Sequence, residues 1–270
     1  MFRSRILNYN QARIAYYMSD EHNTDKDTLL LLHAAFADHE LFEPQWQAFA
    51  ADYHLIAIDM PGHGISSTQG SDVTLKDMPE IINLLLTQLR IDKPIHILGV
   101  SLGSLVAQAY ADRHPERVRS VIAVGGYSIH KANEQVLKAQ RKEGLRWVLY
   151  VLLSMNRFRA YVTKVSCFSE QGRELFRRGM DKFDRRSFAA MAGMNALFVK
   201  RDNPMPYPLL LLSGTHDRQL AKEAAARWHS CEPKSNLILL PNAGHCANVD
   251  APDEFNVLLA QFLSAQRTNR

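Results

Sequence analysis

Short, uninterrupted apolar runs alternate along this chain with longer stretches whose apolar residues recur every three or four positions. The runs are TLLLL from Thr28, YHLIAI from Tyr53, PIHILGV from Pro94, VRSVIAV from Val118, PLLLLSG from Pro208 and SNLILL from Ser235. Runs of this length without polar alternation suit strands buried on both faces, whereas the intervening spacing suits helices with one apolar side. The helical stretches are LFEPQWQAFA, LKDMPEIINLLLTQLR (with Pro79 tolerable in a first turn), SLVAQAYADRHP, AKEAAARWHS and a last one from about Asp253 to Ala265. At the start, SRILNYNQARIAYYMS holds two short alternating runs about Asn8 to Gln11, which predicts an opening hairpin. Strand–helix alternation of this kind predicts an α/β fold with a mostly parallel sheet covered by helices on both faces.

The pattern changes after Tyr127. Residues 128 to 205 read as several helices with no clear apolar strand. The simplest organisation is a core domain of residues 1–126 and 206–270 with an inserted helical cap at 127–205. Charge follows the same boundary: residues 127–205 hold 16 Lys and Arg against 7 Asp and Glu, a balance of +9, and the remainder holds 16 against 21, a balance of −5. Within the segment, GLRWVLYVLLSMNRF has an apolar middle and basic ends. It predicts a helix packing its apolar face on the domain beneath. The alternative is an amphipathic lid that meets lipid or another anionic surface.

Composition narrows the class. The chain has 270 residues, 46% of them hydrophobic, 22% charged and a net charge of +4, which suits one large globular domain and gives no sign of nucleic-acid binding. Cys167, Cys231 and Cys246 are sparse and unpaired in spacing, which favours a reducing compartment. The N-terminus carries no continuous apolar region of the signal-peptide kind, and WVLYVLLSM is too short to span a bilayer. A soluble, cytoplasmic protein is expected. The histidines and cysteines show no zinc spacing and no glycine fingerprint follows the first strand, so no metal and no cofactor is expected.

The candidate chemistry lies where the strand at Ile95 ends in Gly99-Val100-Ser101-Leu102-Gly103 and a helix begins. A G-x-S-x-G string is weak by itself. Between a buried strand and a helix it marks a nucleophile elbow, a tight bend whose strain demands small neighbours and whose helix aims N–H groups at the serine. A serine hydroxyl needs a base, and the base an orienting acid. Asp217 follows one strand and His245 the next, and loops at the C-terminal ends of parallel strands gather at one edge. Ser101, Asp217 and His245 are therefore the candidate catalytic residues. The plainer alternatives are an N-cap role for Asp217 ahead of DRQLAKEAAARW and a satisfied loop histidine at His245. His33 is expected to brace its loop, His63 to be exposed or structural, Cys246 to be a buried packing thiol, and Asp250 and Asp253 to be capping or surface charges. The arginine pairs at Arg177 and Arg185 are expected on solvated faces.

These residues, with DMPGHGISS and LLLLHAAFADHELFEPQW, resemble the α/β-hydrolase superfamily, in its capped form with a serine nucleophile, from about Thr28 to the end apart from the cap. The resemblance implies an eight-stranded sheet and a Ser–His–Asp triad. It also implies an oxyanion hole made of two backbone N–H groups. Mapped by position these belong to Ala35 and Leu102, with Phe36 the alternative to Ala35. The chain departs from the family at Ala34, where glycine is usual. The implied activity is hydrolysis of carboxylic esters through an acyl-enzyme, on a small-molecule substrate with an apolar acyl or aryl part. Lipid-ester, thioester or carbon–carbon hydrolysis, and slow-turnover ligand sensing, are the alternatives, as is peripheral contact of the basic cap with a membrane or anionic surface.

Overall fold

A computed structural model describes residues 3–19, 26–131 and 134–267. Eight strands and ten α-helices follow in chain order: β1 (Arg3–Tyr9), β2 (Ala12–Met18), β3 (Asp27–Leu32), α1 (Glu43–Phe49), β4 (Tyr53–Ile58), α2 (Met78–Gln88), β5 (Ile95–Val100), α3 (Leu102–Arg113), β6 (Val118–Val124), α4 (Glu134–Leu153), α5 (Met155–Ser166), α6 (Glu170–Lys182), α7 (Ser187–Ala190), β7 (Leu209–Gly214), α8 (Gln219–Ser230), β8 (Ser235–Leu240), α9 (Ala247–Asp250) and α10 (Pro252–Arg267). Pro79 sits in the first turn of α2, where its missing N–H has no intrahelical partner to lose.

All eight strands form one sheet in the order β1-β2-β4-β3-β5-β6-β7-β8. The β1–β2 and β2–β4 pairs are antiparallel and the rest are parallel. The opening hairpin turns at Asn10 and Gln11, both with positive φ, the backbone that a two-residue hairpin turn requires. Alternate residues of the apolar runs serve opposite faces. Leu30, Leu32, Ile56 and Ile97 pack with α2, α3 and α8, whereas Leu29, Leu31, Leu55 and Leu98 pack with α1 and α10. That two-sided burial is why these strands contain no polar alternation. β8 is the exception: it lies at the sheet edge, and Leu239 is 50% exposed despite an equally apolar sequence.

Between β6 and β7 the described residues contain helices and no strand. Polar contacts hold α6 firmly. Lys182 reaches Asp38 and Glu40 at 2.6 and 2.5 Å, and Arg178 reaches Glu43 at 2.8 Å. Arg177 is paired with Glu174 and Asp181 on its own helix. The helix expected to bury its apolar face does otherwise. In α4 Leu145, Val148, Leu149, Leu152 and Leu153 face solvent, between 57% and 75% exposed. Trp147, Tyr150 and Val151, on the other side, make the inward packing. The helix has two apolar sides, and the core beneath it takes the one that carries Trp147, Tyr150 and Val151.

Candidate active site

In the order β4-β3-β5, the chain leaves β3 toward one side of the sheet and returns through β5 on the other. The loops after β3 and β5 therefore diverge and leave a crevice at the C-terminal edge. Ser101 stands there, on the first residue after β5. Its backbone has φ 50° and ψ −111°, a conformation sparsely populated by residues with a side chain. It is held from both directions: its N–H donates to the Val124 carbonyl at 2.7 Å, and its carbonyl accepts from the Ser104 N–H at 2.9 Å. The flanking glycines are steric requirements. A Cβ at Gly99 would fall on the Gly103 carbonyl, and a Cβ at Gly103 on the Leu32 carbonyl of β3.

Asp217 and His245 arrive from the loops after β7 and β8. The Ser101 hydroxyl lies 2.8 Å from His245 Nε2, and His245 Nδ1 lies 2.9 Å from Asp217 Oδ2. The second carboxylate oxygen of Asp217 accepts from the Arg218 N–H at 2.7 Å. Asp217 does not cap α8, whose N-cap position is Arg218. Burial draws the His245 imidazole toward its neutral form. The adjacent Asp217 charge and hydrogen bond outweigh burial and leave its pKa above the ordinary 6.5. For Asp217 burial acts upward, and His245 and the Arg218 N–H reverse it, so the carboxyl lies below the usual range. The ion-paired form of the couple is favoured from both sides.

The residues expected to supply N–H groups flank the serine. Leu102 opens α3, and Ala35 lies in a turn closed by the Ala37 N–H on the Ala34 carbonyl at 3.2 Å. Phe36 occupies the next position with φ 69°, a place where glycine is the usual residue. Its ring meets Trp147, Phe158 and Phe183 edge-on at 5.0–5.2 Å. Packing of a large aromatic against α4 and α5 thus offsets local backbone strain. His33 braces this loop: Nδ1 donates to the Ala34 carbonyl and Nε2 accepts from the Met60 N–H, while burial pushes its pKa down to about 4 and keeps it neutral. His63 is buried, not exposed, and donates to the Pro61 carbonyl.

Two features escape sequence reading. Gly125, with φ 59°, lies against the His245 ring, and a Cβ there would come within 2.9 Å of it. The pair Gly125-Gly126 at the end of a strand was the available signal. Asp250, read as a capping or surface charge, is buried. It accepts from the Gly244, Phe168 and Ser169 N–H groups, each at 2.8 Å, and from the Ser169 hydroxyl. It joins the His245 loop to the start of α6, and no local pattern announces this, because all its partners but one are remote in sequence. Cys246 is buried as expected.

A cavity of about 210 Å³ opens beside Ser101 and His245. Its walls are largely apolar, from Phe36, Trp147, Val162 and Leu220, and besides Asp217 the charged side chains lining it are Glu143 and Arg218. Those two face each other at 3.4 Å and tie α4 to the start of α8. Tyr161 also donates to Glu143, at 2.5 Å.

Residues 27–252 match the family model described as alpha/beta hydrolase fold. Among similar proteins, (E)-2-((N-methylformamido)methylene)succinate hydrolase of Acinetobacter baylyi is 24% identical over 96% of this chain and 98% of its own. Pimeloyl-[acyl-carrier protein] methyl ester esterase of Aeromonas salmonicida is 28% identical over 87% of this chain and 94% of its own. The crystal structure of a putative lipase from Acinetobacter baumannii superposes with a TM-score of 0.82 at 21% identity, covering 100% of this chain and 93% of that one.

Proposed function

The chain belongs to the alpha/beta hydrolase fold family, and from that premise we propose that it is a serine hydrolase of carboxylic esters. The carrying observation is the single imidazole that spans Ser101 at 2.8 Å and Asp217 at 2.9 Å. His245 Nε2 takes the hydroxyl proton as Ser101 Oγ attacks the ester carbonyl carbon. Asp217 holds the Nδ1–H tautomer and stabilises the imidazolium. The carbonyl oxygen, now negative, accepts from the Ala35 and Leu102 N–H groups. A pair of such donors aimed at the developing charge is worth several kcal/mol, with about 2.7–4 kcal/mol lost when one is removed. As the tetrahedral adduct collapses, the carbon–oxygen bond to the alcohol breaks and His245 returns its proton to that alcohol. An acyl group remains on Ser101. Water then attacks, His245 takes its proton, and the acid leaves with Ser101 restored. In this reading the chain's own residues supply the nucleophile, the base, the orienting acid and the oxyanion donors. Residues 127–205 act in this reading as a cap that roofs the apolar cavity and receives the acyl or aryl part of the substrate.

Hydrolysis of p-nitrophenyl esters tests the reading, with a fluorophosphonate probe beside it. Turnover by the wild type, loss of about 10,000-fold or more in folded Ser101→Ala, and a probe adduct mapped to the Ser101 peptide are expected. Undiminished turnover in Ser101→Ala, or an adduct elsewhere, would sink it.

A further inference from the structure

Eleven large hydrophobic residues are exposed among the described residues, and five of them fall within nine positions of α4. Leu145, Val148, Leu149, Leu152 and Leu153 follow the i, i+3, i+4, i+7, i+8 spacing and so share one face. In a helix of a globular domain that stripe normally faces the core. Here it points outward, and the opposite side of the same helix supplies Val136, Glu143 and Trp147 to the cavity wall. Toward its N-terminus the outward face continues as Lys138, Arg141 and Lys142, all exposed and without an ion pair among the described residues. Glu143 belongs to the other side, bound to Arg146, Tyr161 and Arg218. Between Lys138 and Leu153 the outer face is thus cationic toward the N-terminus, aliphatic toward the C-terminus and free of carboxylates, with exposed Glu134 one turn before Lys138.

We propose that this face of α4 docks on the surface of an anionic lipid bilayer, with the leucines entering the acyl–headgroup boundary and Lys138, Arg141 and Lys142 meeting the lipid phosphates. Apolar burial and cationic attraction are the two components of such binding, and the helix presents both side by side. A second copy of the chain is a poorer match. It would bring the same cations and the same +9 balance of residues 127–205, and five residues fall well short of the roughly 20–30 a side that a stable interface uses. Docking in this orientation holds the wall of the active-site cavity against the lipid surface. The inference stands apart from the proposed chemistry, since docking requires no turnover.

Co-sedimentation with vesicles of ether-linked phosphatidylcholine, with and without ether-linked phosphatidylglycerol, tests it at low salt. The wild type is expected to bind the anionic vesicles at least tenfold more tightly than the zwitterionic ones, and to release in high salt. Leu149→Glu/Leu152→Glu removes two of the exposed leucines that enter the bilayer, and each is expected to cost roughly tenfold in vesicle affinity. Lys138→Ala/Arg141→Ala/Lys142→Ala loses roughly fivefold per cation on anionic vesicles. Both variants are expected to hydrolyse a short soluble ester at the wild-type rate, because all five side chains face away from the cavity. Three results would overturn the proposal: no binding of the wild type, binding indifferent to both variants, or a wild-type dimer in sedimentation velocity that the leucine variant converts to monomer. A dead Ser101 reading with intact vesicle binding would leave the docking proposal standing, and the reverse outcome would remove docking alone.

Discussion

His245 is pulled in two directions, and the balance sets a measurable pH dependence. The proposed base acts only as neutral imidazole. Burial favours that form, and the Asp217 carboxylate, charged at any pH where the base works, favours the protonated one and prevails. Activity should therefore fall as pH drops through a single ionisation above 6.5, the ordinary value, and be fully present on the alkaline side. In Asp217→Asn the upward influence is gone and burial remains, so the midpoint in kcat/KM should move to lower pH. The plateau should drop by about 10,000-fold, since the amide no longer fixes the tautomer. A midpoint that stays put would mean that Asp217 does not govern this imidazole. Ser101 shows the complementary economy of small neighbours. Its own backbone strain, about 1–3 kcal/mol for a residue in such a region, persists because Gly99 and Gly103 admit close approach by the strands and helix around it.

At the scale of elements, the arrangement depends on fastenings between loops. Asp250 is one of them. Its oxygens occupy three backbone N–H groups and one hydroxyl from the His245 loop and the segment entering α6. Asp250→Ala would leave the buried Gly244 N–H and three half-buried donors of Phe168 and Ser169 without their acceptor, at about 1–3 kcal/mol for each that water cannot reach. Denaturant unfolding should register a loss of at least about 3 kcal/mol, accompanied by a lower kcat as the His245 loop loosens. A loss under about 1 kcal/mol would show that water replaces the carboxylate. Phe36 is the matching fastening on the other side of the serine. Its positive φ is tolerated because its ring is locked among Trp147, Phe158 and Phe183, so the loop carrying Ala35 is set partly by the helices that follow β6.

For the whole molecule, the cavity between the sheet edge and those helices limits what can react. Its volume of about 210 Å³ is below the roughly 300–1,000 Å³ of pockets for drug-sized ligands. Short acyl chains should be preferred, and Trp147 forms part of the wall against which a longer chain would press. Trp147→Ala should shift the optimum of a p-nitrophenyl ester series toward longer chains, with each added methylene that the larger space accepts worth about tenfold or more in kcat/KM. An unchanged chain-length profile would place the acyl group elsewhere. Among the described residues no helix is long and apolar enough to cross a membrane.

The apolar runs by themselves determined the parallel, doubly covered sheet, because a strand buried on both faces cannot alternate with polar residues. The glycines around Ser101 and the loops holding Asp217 and His245 were legible for a related reason: a tight elbow admits few residue types, and strand C-termini share one edge. Other features belonged to the tertiary structure alone. The outward turn of the α4 leucines depends on which of two apolar sides finds a partner, and helical periodicity is the same for a buried face and an exposed one. Asp250, Gly125 and the left-handed Phe36 act through residues far away in the chain. Local patterns record what a residue's neighbours in sequence demand, and only folding brings together the partners that give these three their work.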